Sequence, residues 1–270
     1  MIDARGISVD FEYLAARDQN VKRLTMNTFL RRREQRRVVS ALRDVEFRVG
    51  DGERLGLLGA NGAGKTTLLR IIAGVLMPTQ GRMWVTGRVL SLLGGANLGL
   101  DPEASGRENA ETLGIQLGLR GREVFRVASE AIEFSGLAER IDDPVYTYSS
   151  GMMARLRFSV ITGLRPEVLV LDEGIGAADA AFAQKAAERM ESFVQGSGSV
   201  VIASHSLGLL RATCNRGLVL DAGSVAFAGT LGGAERAYLQ SVAGTVGTGA
   251  GSASAFAVQP VVGPGLVVHR

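Results

Sequence analysis

The sequence predicts an α/β fold built around a phosphate-binding loop, and three segments carry that prediction. Gly59-Ala60-Asn61-Gly62-Ala63-Gly64-Lys65-Thr66 fits the P-loop pattern in full. Val168-Leu169-Val170-Leu171-Asp172-Glu173 reads as a buried strand that delivers two carboxylates at its end. Between the two, Tyr148-Ser149-Ser150-Gly151-Met152 opens a helix. Many nucleotide-hydrolysing folds combine a P-loop with an acidic strand; far fewer place a Ser-x-Gly helix start between them.

Taken in chain order, residues 5–15 alternate through Ile7, Val9 and Phe11 and predict a first strand. Residues 16–38 are polar and basic and predict a helix and loop, although Val21, Leu24, Met26, Phe29 and Leu30 spread too widely for good amphipathicity. Leu42 to Val49 predicts a second strand, Asp51-Gly52 a turn, and Arg54 to Leu58 a strand running into the glycine loop. The spacing of Leu68, Leu69, Ile72, Val75 and Leu76 predicts the helix a P-loop needs, closed by Pro78 and Gly81. Residues 101–165 are mostly helical in pattern, with no convincing strand. Ser199–Ala203 is a second apolar run suited to a parallel sheet, and Leu218–Leu220 and Val225–Phe227 predict a hairpin around Asp221-Ala222-Gly223-Ser224. From about residue 245 the chain turns Gly-, Ala-, Ser- and Val-rich, with Pro260 and Pro264, a composition suited to a disordered tail or a docked extended arm.

Bulk properties narrow the class. The 270 residues are 46% apolar and 21% charged, ordinary for a soluble globular protein. A single cysteine, Cys214, excludes an internal disulfide framework and suits a reducing compartment. The start, Met1-Ile2-Asp3-Ala4-Arg5, turns charged at once and lacks the apolar core of a secretory signal, and no uncharged stretch is long enough to cross a bilayer. These features place the chain in the cytoplasm. The net charge of +3 is carried almost wholly by arginine, lysine occurring only at Lys22, Lys65 and Lys185. Its basic clusters, Arg31-Arg32-Arg33 and Arg36-Arg37, are local and do not argue for nucleic-acid binding; a solvated face, anionic lipid head groups and a membrane partner are three readings of them.

The chemistry follows from residue types. Gly59, Asn61, Gly62, Ala63, Gly64, Lys65, Thr66 and Thr67 form a loop whose backbone N–H groups wrap a polyphosphate at a helix N-terminus. Lys65 would reach the β- and γ-phosphates of ATP, and Thr66 would bind Mg²⁺ through its hydroxyl. Asp172 would hold the metal, directly or through water, and Glu173 would orient the attacking water as a general base. His205, just past the strand Ser199–Ala203, is placed to touch the γ-phosphate; His269, in the tail, has no comparable setting and reads as inert. Ser149 and Gly151 start the helix Met152–Leu164, whose core face is Leu156, Val160 and Leu164; a capped helix N-terminus is also a γ-phosphate receptor. It cannot reach the P-loop of its own chain, so the motif calls for an ATP-dependent head-to-tail homodimer.

On these motifs the chain resembles the ATP-binding subunits of ABC transporters over about residues 5–240. More narrowly it is similar to the polysaccharide-export branch, which serves O-antigen, teichoic acid, capsule and galactan. The narrower likeness rests on Ser105-Gly106-Arg107-Glu108-Asn109, on Thr147-Tyr148-Ser149-Ser150-Gly151-Met152, and on Asp172-Glu173-Gly174-Ile175-Gly176-Ala177-Ala178-Asp179. The resemblance implies a RecA-like P-loop NTPase core with an antiparallel β-subdomain and an inserted helical subdomain. Residues 1–244 would form that domain, with the helical part at about 101–165 and a tail at 245–270. It also implies that Asp179 crosses a dimer interface and that Phe11, or less readily Tyr13, stacks on adenine; as a strand residue, Phe11 is equally well explained by the core. Most members place a glutamine twenty-five to thirty residues past the P-loop lysine. This sequence has Leu92-Leu93-Gly94-Gly95-Ala96-Asn97 there, so Asn97 or water would complete the metal shell.

The implied activity is ATP hydrolysis coupled to export of a lipid-linked glycan through a separate transmembrane permease, with this subunit peripheral on the cytoplasmic face of the inner membrane. The tail is too short for the carbohydrate-binding domain that some O-antigen exporters append, which implies that glycan length is not read by this chain. The alternatives are an ATPase for a lipid or drug cargo, a soluble non-transport ABC protein, and a catalytically dead ATP-binding regulator. The second of these usually has two cassettes or a long coiled coil, and the third would have lost Lys65, Glu173 or His205.

Overall fold

A computed structural model describes residues 1–14, 36–93, 99–172, 180–245 and 266–269. Two sheets organise them. The larger has six strands: β3 (Arg54–Leu58), β5 (Val89–Leu92), β6 (Val168–Asp172), β7 (Ser199–Ala203), β8 (Arg216–Asp221) and β9 (Ser224–Thr230). Their order is β5-β6-β7-β3-β8-β9, parallel throughout except for β9, which returns antiparallel to β8. Such a sheet must bury both faces, and the strands are apolar on both: Val168, Val170, Val201 and Ala203 face one core, while Leu169, Val200 and Ile202 face the other.

The first face is covered by α1 (Lys65–Ile72) and by the second sheet, built from β1 (Ile2–Leu14), β2 (Arg36–Val49), β4 (Gln80–Thr86) and β10 (Leu266–His269). Its order is β10-β4-β1-β2, antiparallel except for the parallel edge pair β10–β4. In β1 the buried set runs Ile2, Ala4, then Ile7 and Val9; a register shift around Gly6 changes the parity and keeps the apolar side inward. Trp84 on β4 pairs with Asp3 on one side and Val267 on the other, with the Arg5 guanidinium 5.2 Å from its ring centre.

The second face carries α6 (Leu207–Thr213) and α7 (Leu231–Thr245), and the helical subdomain adjoins it: α2 (Gly106–Gln116), α3 (Arg122–Ser135) and α4 (Ser150–Thr162). Helix α5 (Ala180–Gly196) joins this layer through Phe182, whose ring meets Phe134 of α3 and Phe158 of α4 edge-on at 5.5 and 5.8 Å. Cys214 is buried at the end of α6, and burial pushes its thiol pKa up.

Three features differ from the sequence reading, and the end of the tail takes the docked of its two expected forms. Strand β2 begins at Arg36, so residues 36–38 belong to a strand rather than to the expected helix and loop; the remainder of that stretch, 16–35, lies outside the described residues. As the edge strand of its sheet, β2 exposes Arg37, Val38 and Val39, and edge charges mask strand periodicity. Helix α1 stops at Ile72 instead of running to Leu76, because the N–H groups of Gly74 and Val75 fold back onto Ile71 and Arg70 and leave Val75 exposed. Strands β4 and β5 had no counterpart in the sequence reading. In the tail, Leu266–His269, the site of His269, docks as a strand.

A candidate nucleotide site at the centre of the parallel sheet

Strand β3 lies at the centre of the six-stranded sheet, so the loop leaving its carboxyl end opens between β7 and β8. Ligands of open parallel sheets bind at that edge. The loop turns sharply because Gly59 adopts φ 151° and runs so close behind β8 that a Cβ there would collide with the Leu220 carbonyl. Gly64, at φ 104°, caps α1 with a Cβ position only 2.7 Å from Ala41 O. Only glycine fits either place.

A cleft of about 460 Å³ opens over this loop, lined by Asn61, Gly62, Gly64, Lys65, Thr66 and Thr67. Asp172, at the end of β6, and His205, just past β7, complete it. Lys65 Nζ donates to the carbonyls of Gly59 at 2.6 Å and Ala60 at 3.0 Å, folded back along its own loop. Thr66 Oγ1 donates to Asp172 Oδ2 at 2.9 Å, which brings the first turn of α1 against the acidic strand 106 residues away in sequence. That contact is the centre of the site.

This hydroxyl–carboxylate pair fits a magnesium ion. Magnesium takes one or two carboxylates plus water and phosphate oxygens rather than an all-protein cage. Among the described residues no group of three or more His, Cys, Asp or Glu is placed to hold a metal.

The structure does not bring every sequence-selected residue to the cleft. Ala63 is buried beneath the loop. Phe11 is half-buried on β1, opposite Val39 of β2, and packs on the same core as Ala41 rather than lining the cavity. Tyr13 lies two residues further along β1, paired with Arg37. Ser149 and Gly151 are absent from the cleft wall. Ser149 caps α4, accepting from Met152 N at 3.2 Å, and is exposed. Glu173, Asp179 and Asn97 lie outside the described residues. The cleft also uses Ala41, Ala203 and Ser204, which the sequence analysis did not select. Ser204 had one signal, its place beside His205; Ala41 had none, since only the packing of β2 over the loop brings it there.

The segment around Tyr148 is built as one unit. Ser105 and Glu108 form a reciprocal capping box at the start of α2, and the Ser105 N–H bond holds the Glu108 carboxyl below its usual range. Asn109, buried, accepts from Asp101 N at 2.7 Å and donates to the carbonyls of Asp101, Ala104 and Ser105. Tyr148 buries its ring, donates its hydroxyl to Arg140 O at 2.7 Å, and has its pKa raised by that burial. Its hydroxyl fills the notch left by Gly106, where a Cβ would collide with it.

A family model described as "ABC transporter" matches residues 42–176, half of the chain, from β2 through the P-loop to beyond Asp172. The chain belongs to the ABC transporter family. Two relatives within that family extend the match. One is the O-antigen export system ATP-binding protein RfbB of Klebsiella pneumoniae, 43% identical over 178 residues, or 65% of this chain and 71% of the relative. The other is the ABC transporter protein AbcA of Aeromonas salmonicida, 41% identical over 193 residues, or 72% of this chain and 62% of the relative. This ABC subunit thus spans less than two thirds of the Aeromonas protein. A dimeric ATP-binding cassette captured after hydrolysis with ADP and Pi superposes with a TM-score of 0.60 at 18% identity, covering 86% of this chain and 99% of its own; it shows the shared ABC fold. Among the described residues of the subunit, no helix is long and apolar enough to cross a membrane.

Proposed function

We propose that this chain is the ATP-hydrolysing subunit of an ABC exporter that carries a lipid-linked polysaccharide across the cytoplasmic membrane. The observation that carries the reading is the 2.9 Å contact of Thr66 with Asp172 inside a P-loop cleft, in a chain 43% identical to an O-antigen export ATP-binding protein. Lys65 exchanges its two loop carbonyls for phosphate oxygens when ATP enters, and the loop N–H groups take the remaining phosphate charge. Thr66 and Asp172 would hold Mg²⁺, which supplies charge neutralisation at the β- and γ-phosphates. Glu173, next in sequence to Asp172, orients the attacking water, and His205 contacts the γ-phosphate side of the cleft.

Ser149 and the exposed start of α4 close the site of a second copy, head to tail, with Asp179 at the same interface. The dimerisation is driven by ATP because neither half-site surrounds the triphosphate alone. The dimer works on a separate permease, so the subunit is peripheral to the cytoplasmic face of the membrane, and the glycan is an indirect cargo.

The test is made in the native cell, with Glu173→Gln replacing the wild-type allele and labelled sugar supplied. The expected result is lipid-linked glycan accumulating on the cytoplasmic side while surface polymer falls. Normal surface glycan would overturn the export reading.

A further inference from the structure

The link between β7 and α6 is three residues long, Ser204, His205 and Ser206, and the first two line the nucleotide cleft. It starts from a fixed point. Ala203, the last residue of β7, pairs with Leu57 of β3 on one side and with Asp172 of β6 on the other. Ser204 therefore leaves the sheet between the strand that enters the P-loop and the strand that carries Asp172. Ser204 is buried, 8% exposed, whereas His205 beside it is exposed.

A buried hydroxyl needs a hydrogen-bond partner. Ser204 Oγ accepts from Ser206 N at 3.0 Å. The ring that this bond closes runs through the backbone of His205 and contains both of its torsions, φ and ψ. On the far side, Ser206 Oγ accepts from Leu209 N at 3.3 Å, and Ser206 O accepts from Leu210 N at 3.2 Å, which fixes the first turn of α6. The histidine backbone is thus tied down from both sides, and the Ser204 hydroxyl sets the direction of its Cα–Cβ bond. Alanine at 204 would take from the Ser206 N–H the acceptor that spans the histidine.

We propose that Ser204 is a positioning residue for ATP hydrolysis: by bridging to Ser206 N, its hydroxyl aims His205 at the γ-phosphate side of the cleft. This role rests on the reading of His205 as a γ-phosphate contact, and adds to it the group that holds the histidine in place. It gives Ser204 no contact with the nucleotide. A misplacement of about 1 Å can cost on the order of 10²-fold in rate. A loosened turn is therefore felt in turnover rather than in nucleotide affinity, because the P-loop and Lys65, which hold the triphosphate, do not depend on it.

Steady-state phosphate release from the full chain is measured against ATP concentration for Ser204→Ala, His205→Ala and the two combined. The expected result for Ser204→Ala is a fall in kcat of about tenfold, with KM changed by less than about twofold. Ser204→Thr, which keeps the hydroxyl, restores kcat. Adding Ser204→Ala to His205→Ala costs nothing further, as a residue acting only through the histidine requires. Should the alanine variant fail to fold, Ser204→Cys, close in volume and a weaker acceptor, gives a smaller fall with the same non-additivity. Unchanged kcat in Ser204→Ala overturns the proposal and leaves the reading of His205 standing. Losses that multiply in the double variant do the same, since they would mean that Ser204 acts on the nucleotide itself. Full turnover in His205→Ala overturns both.

Discussion

On the proposed function, Lys65, Thr66 and Asp172 do different work, and substitution separates them. Lys65 supplies positive charge where the loop backbone supplies only dipoles, so Lys65→Ala should lower ATP turnover by about 10²–10³-fold in a steady-state phosphate-release assay. Thr66→Val keeps the shape and removes the hydroxyl that meets Asp172 at 2.9 Å. Its expected effect is a rise in the magnesium concentration needed for half-maximal turnover, read from a metal titration, with metal-free nucleotide binding little changed. These residues were legible in the sequence because their chemistry is local: a glycine loop followed by lysine and threonine needs only its flanking strand and helix. Ala41 was not, since it reaches the cleft only through the packing of β2 over the loop, which no short pattern records, and Ser204 had only its place beside His205 to mark it. Phe11 shows the limit from the other side, as the alternation that marked it as a strand residue holds while its side chain packs on the core.

Among elements, the clearest sequence-to-structure link is the junction of α2 with the segment before α4. The signature tyrosine is a structural wedge in this chain: its hydroxyl needs the empty Cβ position of Gly106 and the Arg140 carbonyl together. Gly106→Ala should therefore destabilise the protein by about 1–3 kcal/mol, measured by urea unfolding, by forcing Tyr148 out of its notch. Combining it with Tyr148→Phe, which removes the colliding oxygen, should recover part of that loss. Helices α2, α3 and α4 were legible as helical pattern because they are long; Leu156 and Val160 of α4 are buried as read, while Leu164 is buried just beyond the helix, which ends at Thr162. Strand β5 escaped because its four residues are too few to display a period. Strand β4 escaped because only Met83 and Val85 of its seven residues are buried.

For the molecule as a whole, the sequence order of P-loop, helix start and acidic strand pointed to a parallel sheet that carries β3, β6 and β7, but not to β5 at its edge. What it did not contain was the second sheet's full membership, because β10 and β4 are brought together by the tail. Acid stability is a further whole-molecule property. Glu53 ties the turn before β3 to β8, accepting from Gly50 N and from Arg216 at 2.7 Å each, and the Gly50 bond followed by Arg216 holds its carboxyl below the ordinary 4.5. A depressed carboxylate contributes stability that is fully present above the unfolded value and is lost as pH falls through the folded one. Glu53→Gln should accordingly flatten the acid limb of the melting-temperature profile below about pH 4.5 and lower the plateau above it. At the level of assembly, Glu173→Gln with ATP should elute from a sizing column as a dimer, and adding Ser149→Arg should return it to a monomer.

Trp84 is the only tryptophan in the chain, and it stands in the middle of β4, between Asp3 and Val267. Intrinsic emission from this protein is therefore a one-point optical gauge of a single sheet edge, with no second fluorophore of its kind to average the signal. Detachment of the last strand would leave the edge of β4 that carries Trp84 unpaired, so a change in its emission would follow the docking of β10 on β4 in real time without attaching a label.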